Sequence, residues 1–129
     1  MSADTPVIGP AQLAGVTLDC LHPRSLARFY GQLLGWSTIV EENDDWVSIK
    51  EPSGPMHISC QREPLYRPPV WPSASDEPQM MSHLDIRVAD LEQACARAES
   101  LGAVSMGWQP QPNVRVCADP EGHPFCLFV

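Results

Sequence analysis

Basic residues are scarce: eight Lys and Arg stand against sixteen Asp and Glu in 129 residues, a net charge of −8. They are scattered rather than grouped, which argues against nucleic acid as a partner, because that binding depends on clustered cations neutralising phosphates. Long apolar runs are missing too. None approaches the roughly 18 residues that span a bilayer, so no membrane association is expected. The opening MSADTPVIGP has neither the basic start nor the apolar core of a secretory signal, and a cytoplasmic protein is expected. No CxxC pair occurs. The five cysteines, at 20, 60, 95, 117 and 126, are odd in number and read as reduced thiols, mostly buried as small apolar side chains. With 43% apolar residues the chain has the makings of one folded domain, or of two small halves packed together.

What the chain does have is repetition. TLDC at 17–20 returns as HLDI at 83–86, LLGW at 33–36 as SLGA at 100–103, and EPSG at 51–54 as DPEG at 119–122. The order is kept, and the interval lengthens by one residue from each landmark to the next. A tandem duplication with small loop adjustments is the simplest account. In the second copy, HLDIRV alternates Leu84, Ile86 and Val88 against His83, Asp85 and Arg87, the pattern of a half-buried strand. Asp90 and Gln93 form a capping-box pair ahead of a helix that carries Leu91, Ala94, Cys95, Ala98 and Leu101 on one face and stops at Gly102. Short strands follow near 104–108, 113–118 and 124–128. In the first copy, VTLDCL is the strand, and the helix after Pro23 buries Leu26, Phe29, Tyr30 and Leu33 and closes at Gly35. Strands near 36–41, 45–50 and 56–61 follow.

The expected class is α+β, with two tandem βαβββ modules at 12–61 and 83–129 joined by a proline-rich linker at 62–82, in which Trp71 is anchored. Neither module alone carries a comfortable core, since domains of roughly 60 residues are marginal. One helix covers one face of each sheet, so the opposite faces must meet each other, a partner or a ligand.

The stretches RSLARFYGQLLGW (24–36), YRPPVWP (66–72), HLDIRVADLE (83–92) and DPEGHPFCLF (119–128) together resemble the vicinal oxygen chelate superfamily, in its glyoxalase-like and bleomycin-resistance-like branch. The resemblance spans nearly the whole chain. It implies paired βαβββ modules whose curved, mostly antiparallel sheets form a cup. In metal-dependent members it implies ligands from the first and last strand of each module. His83 matches one such position. Its first-module counterpart is Thr17 or Val16, neither a good ligand for a divalent ion. The last-strand carboxylate, four residues past Gly122, is replaced by Cys126. In PMHISCQ, alternation turns His57, Ser59 and Gln61 toward the cup, whereas counting from Gly54 points to Ile58. Alternation is preferred, because it keeps His57 and Ser59 out of the apolar core.

No complete metal site and no cofactor are expected on this count; if His83 and Cys126 do hold an ion, zinc, nickel or iron are the ions in question. A Cys126 nucleophile beside His83 would lack an orienting group and an oxyanion hole. Asp19 and Asp85 occupy matching positions, either as an acid–base pair or as structural acceptors for a neighbouring strand or Arg87. Alternation from Val47 and Ile49 turns Trp46 and Ser48 toward the cup, and a wall of Trp, Ser and His suits a flat or partly aromatic small molecule. The expected function is small-molecule binding in the cup by Asp19, Trp46, Ser48, His57, Ser59, Gln61, His83, Asp85 and Cys126. The alternative is an isomerase, lyase or dioxygenase that uses His83 with a metal, or with Asp85 as acid and base. A homodimer is expected, since small curved sheets leave edges and apolar flanks to cover.

Overall fold

The computed structural model describes Asp4 and residues 9–129. In the first half, β1 (Gly15–Cys20) leads into α1 (Pro23–Leu34), followed by β2 (Thr38–Glu42), β3 (Trp46–Lys50) and β4 (His57–Arg62). The second half repeats the order as β5 (Leu84–Arg87), α2 (Leu91–Ser100), β6 (Val104–Ser105), β7 (Val114–Ala118) and β8 (Pro124–Phe128). The strands form two four-stranded mixed sheets, ordered β1-β4-β3-β2 and β5-β8-β7-β6. In each, the first strand runs parallel to the last and the remaining neighbours are antiparallel. The α+β duplication expected from the sequence is the architecture observed.

Local chemistry explains the element ends. Pro23 occupies the first turn of α1, where its missing N–H costs nothing, and Gly35 ends the helix in the left-handed region at φ 74°. Asp90 caps α2 by accepting from the Gln93 N–H at 3.0 Å. Gly15 is required by crowding, because a Cβ there would stand 2.5 Å from the His57 carbonyl oxygen on the paired strand. In β4, Ile58 and Cys60 enter the core while His57 and Ser59 line a cavity on the other side. Trp71 is held by stacking on Trp108, with ring centroids 5.3 Å apart.

The two halves share one core. Phe125 of β8 meets Phe29 and Tyr30 of α1 edge-on at 5.9 and 6.0 Å. Beside this aromatic cluster lies a polar clamp centred on Asp119, whose side chain is fully buried. Its Oδ2 accepts from the Tyr30 hydroxyl at 2.7 Å, and its Oδ1 accepts from the Glu121 and His123 N–H groups. His123 places Nδ1 2.8 Å from Asp119 and Nε2 2.7 Å from the Asp19 carbonyl oxygen on β1. The Glu121 carboxylate accepts from the Leu21 and His22 N–H groups just ahead of α1, while its own carbonyl accepts from Tyr66. Tyr66 also stacks on His123 at 5.0 Å.

Both ring nitrogens of His123 face acceptors, so only the imidazolium satisfies both bonds. Burial alone would lower its pKa, but the hydrogen bond and charge of Asp119, with the Asp19 carbonyl and Glu121, outweigh burial and raise it above 6.5. The stabilisation from this cation is complete below about pH 6.5, the unfolded value, and is lost as pH climbs through the higher folded value. Urea midpoints taken from about pH 6 to about pH 9 should therefore fall toward the alkaline end. His123→Gln should be less stable at the acid end and should flatten that fall. Midpoints that hold steady in the natural chain across the range would refute the imidazolium assignment.

Candidate functional site

The nine sequence-predicted residues fall into three groups. Trp46 and Ser48 on β3 and His57 and Ser59 on β4 line a cavity of about 390 Å³ on the open face of the first sheet, with Thr17. Ser59 donates to Ser48 across the strand pair at 3.0 Å, and both are nearly buried. His57 shares its Nδ1–H between the carbonyls of Pro55, at 2.7 Å, and Ala14, at 3.1 Å. That fixes the tautomer and leaves Nε2 with a lone pair.

Asp19 and Gln61 form the second group. They are register partners on the parallel pair β1 and β4, and the Gln61 amide donates to the Asp19 carboxylate at 3.4 Å. Asp19 is thus answered by a neighbouring strand.

The third group is His83, Asp85 and Cys126, brought together because Asp85 and Cys126 are register partners on β5 and β8. One ligand atom from each lies within 4.8 Å of the others. His83 Nε2 stands 3.0 Å from Asp85 Oδ1. Arg87, the other partner the sequence offers Asp85, lies instead over the Phe128 ring, 5.4 Å from its centroid. The Cys126 thiol is pushed up by desolvation, then by the Asp85 charge and by its hydrogen bond to Asp85. A raised thiol carries little thiolate at neutral pH, which opposes the nucleophile reading. Imidazole, carboxylate and sulfur are donors that could hold zinc, and Asp85 would be a third ligand that counting homologous positions does not find.

The largest cavity near these groups, about 540 Å³, lies where the two halves meet the linker. Val16 and Leu18 of β1, Leu84 of β5, and Pro69 and Pro78 of the linker supply apolar wall. Thr17, Asp19, Tyr66, Ser82 and His83 supply polar atoms, and Met80 and Met81 add thioethers. Tyr30 and His123 of the clamp also line it. Sequence reasoning finds Asp19 and His83 here and misses the linker. The signal is available in Tyr66 and the Met80–Met81 pair, large side chains in a proline-rich segment.

A family model described as glyoxalase-like domain matches residues 15–128. No curated protein matches the chain. Among solved structures, an enzyme of the glyoxalase/bleomycin resistance protein/dioxygenase family from Burkholderia phytofirmans superposes with a TM-score of 0.69 at 16% identity, covering 91% of this chain and 97% of that one. The fosfomycin resistance protein FosX from Listeria monocytogenes, complexed with Mn(II) and a dihydroxypropylphosphonic acid, gives 0.68 at 12% identity, covering 92% of each chain. TnmS3, an antibiotic binding protein from a Streptomyces species, gives 0.60 at 14%, covering 92% of this chain and 95% of that one. At such identities the structures speak for the fold alone, whereas the family model spans nearly the whole sequence. The chain belongs to the glyoxalase-like domain family, within the vicinal oxygen chelate superfamily.

Proposed function

We propose that this protein binds a small, flat organic molecule in the junction cavity, without a metal ion. The observation that carries the reading is the cavity itself, about 540 Å³ of mostly apolar wall with polar side chains set among it. Its walls come from β1, β5 and the linker, so it exists only where the two modules are held together. TnmS3, an antibiotic binding protein of the same fold, supports small-molecule binding as the function. Five free cysteines fit a reducing compartment such as the cytoplasm. A homodimer belongs to the same reading. Edge strand β2 is exposed along its length, with Ile39 and Val40 more than half exposed, and a second copy would cover it.

The neutral probe 2-naphthol should bind the protein in a fluorescence titration. Ser82→Trp, which places an indole at the cavity wall from an exposed loop position, should weaken binding about ten-fold or more while changing stability by less than about 0.5 kcal/mol. Unchanged affinity in a folded variant would remove the cavity from the function.

A second reading rests on the His83, Asp85 and Cys126 cluster. These residues would hold a divalent ion, which as a Lewis acid would polarise a substrate carbonyl in an isomerase, lyase or dioxygenase. Without the ion, His83 and Asp85 would be left as an acid–base pair. The two readings differ in the chemistry of Cys126. In the metal-free protein, iodoacetamide should modify Cys126 slowly at neutral pH, and Asp85→Asn, by removing the charge that raises the thiol, should speed modification several-fold. Peptide mapping by mass spectrometry follows the reaction. Protection of Cys126 by stoichiometric zinc, lost in His83→Ala, would favour the metal reading instead.

A further inference from the structure

Four side chains that carry or can carry charge line the junction cavity: Asp19, Arg67, His83 and His123. Three already have a carboxylate of their own. Arg67 pairs with Glu77 at 3.7 Å, His123 with Asp119 at 2.8 Å, and His83 with Asp85 at 3.0 Å. Asp19 differs, because the partner of its carboxylate is the neutral Gln61 amide, at 3.4 Å. The cavity therefore presents one formal negative charge without a matching cation.

The remaining polar wall leans the same way. The Thr17 and Ser82 hydroxyls can accept as well as donate. The half-buried Tyr66 ring at the cavity wall is a surface that attracts cations. Behind the wall the field is negative enough to be felt by other groups. The Cys20 thiol is pushed up to about 12 by burial and then by Glu121, with Asp119 and Asp19 adding to it. The Tyr66 hydroxyl is raised by burial and then by Asp119 and Glu121, with Asp19 again contributing.

We infer that the ligand of the junction cavity is an organic cation, a flat or aromatic skeleton carrying one ammonium-type group that docks against Asp19. This rests on the binding function proposed above and narrows it to a class. Apolar wall takes the skeleton, and the carboxylate takes the charge. A monoanion of the same shape meets Asp19 with no unpaired cation to offset the repulsion.

The test uses 1-naphthylmethylammonium and 1-naphthalenesulfonate, which share a ring system and differ in the sign of one charge. Fluorescence titration of the full chain at low salt should give the ammonium probe an affinity about ten-fold higher, a modest ratio because Asp19 is solvent-exposed. Asp19→Asn keeps the side-chain shape and the backbone carbonyl that His123 grips, and it should reduce the ratio to about two-fold. Salt at about 0.5 M should compress the ratio in the unaltered chain in the same direction. Equal or reversed affinities that Ser82→Trp still weakens would leave the cavity a binding site and overturn the cationic class. So would a ratio that neither Asp19→Asn nor salt moves. Binding of both probes that ignores Ser82→Trp, or no binding by these probes or 2-naphthol, would overturn the binding function itself.

Discussion

The relation between the two modules depends on one buried carboxylate. Asp119 lies in the turn between β7 and β8, yet its partners reach back to α1 through Tyr30 and to β1 through His123. A fully buried anion is tolerated only when its lone pairs are filled, and here a phenol, an imidazolium and two backbone amides fill them. Glu121, two residues on, satisfies two amide groups ahead of α1. The turn thus docks the second module on the first by hydrogen bonds, beside an edge-on aromatic cluster that supplies the apolar contact. The junction cavity lies along this seam, with Tyr30, Tyr66 and His123 shared between clamp and cavity wall.

The duplication shows how such a clamp can arise. The first copy of the turn, EPSG, carries Glu51 where the second carries Asp119. Glu51 spends its carboxylate locally, accepting from the Met56 N–H at 3.1 Å, and remains only half-buried. Both turns close their strands with a backbone bond, Glu51 to Met56 and Asp119 to His123. The shorter Asp side chain and the histidine after Gly122 let the second turn grip the other module. A shared ancestral turn has become a local brace in one half and an intermodule joint in the other.

Much of this architecture is legible in the sequence, because period-two alternation and helix caps are local signals. Both helices, most of the strands and the faces of β3 and β4 follow from neighbours a few residues apart, whereas the strand expected near 104–108 runs only Val104–Ser105. The partners of Asp119 are distant in sequence, and nothing near DPEGH announces them. His83 and Arg87 flank Asp85 on the same face, so alternation offers both as partners. The observed choice is decided by tertiary contacts, since Arg87 finds the Phe128 ring and His83 takes the carboxylate. The meeting of Asp85 with Cys126 as strand partners is hidden for a related reason. Counting from homologous ligand positions looks for residues that replace a ligand, and Asp85 replaces none.

The distribution of acidic residues ties the clamp to the cavity. Asp119 and Glu121 are satisfied by N–H and O–H donors and by the His123 cation, so they hold the fold together without presenting themselves to a ligand. Asp19 lies on the same seam and belongs to the clamp by its backbone only, through the carbonyl that His123 holds. Its carboxylate is left over, exposed on the cavity side with one amide for company. A residue whose main chain is fixed by the module joint and whose side chain is not consumed by it is rigidly placed and chemically available. The net charge of −8 acts over a longer range, drawing cations toward the surface and raising their encounter rate at low ionic strength. Steering of that kind has no shape selectivity, which must come from the apolar wall. The joint between the modules builds that wall and holds the Asp19 main chain beside it.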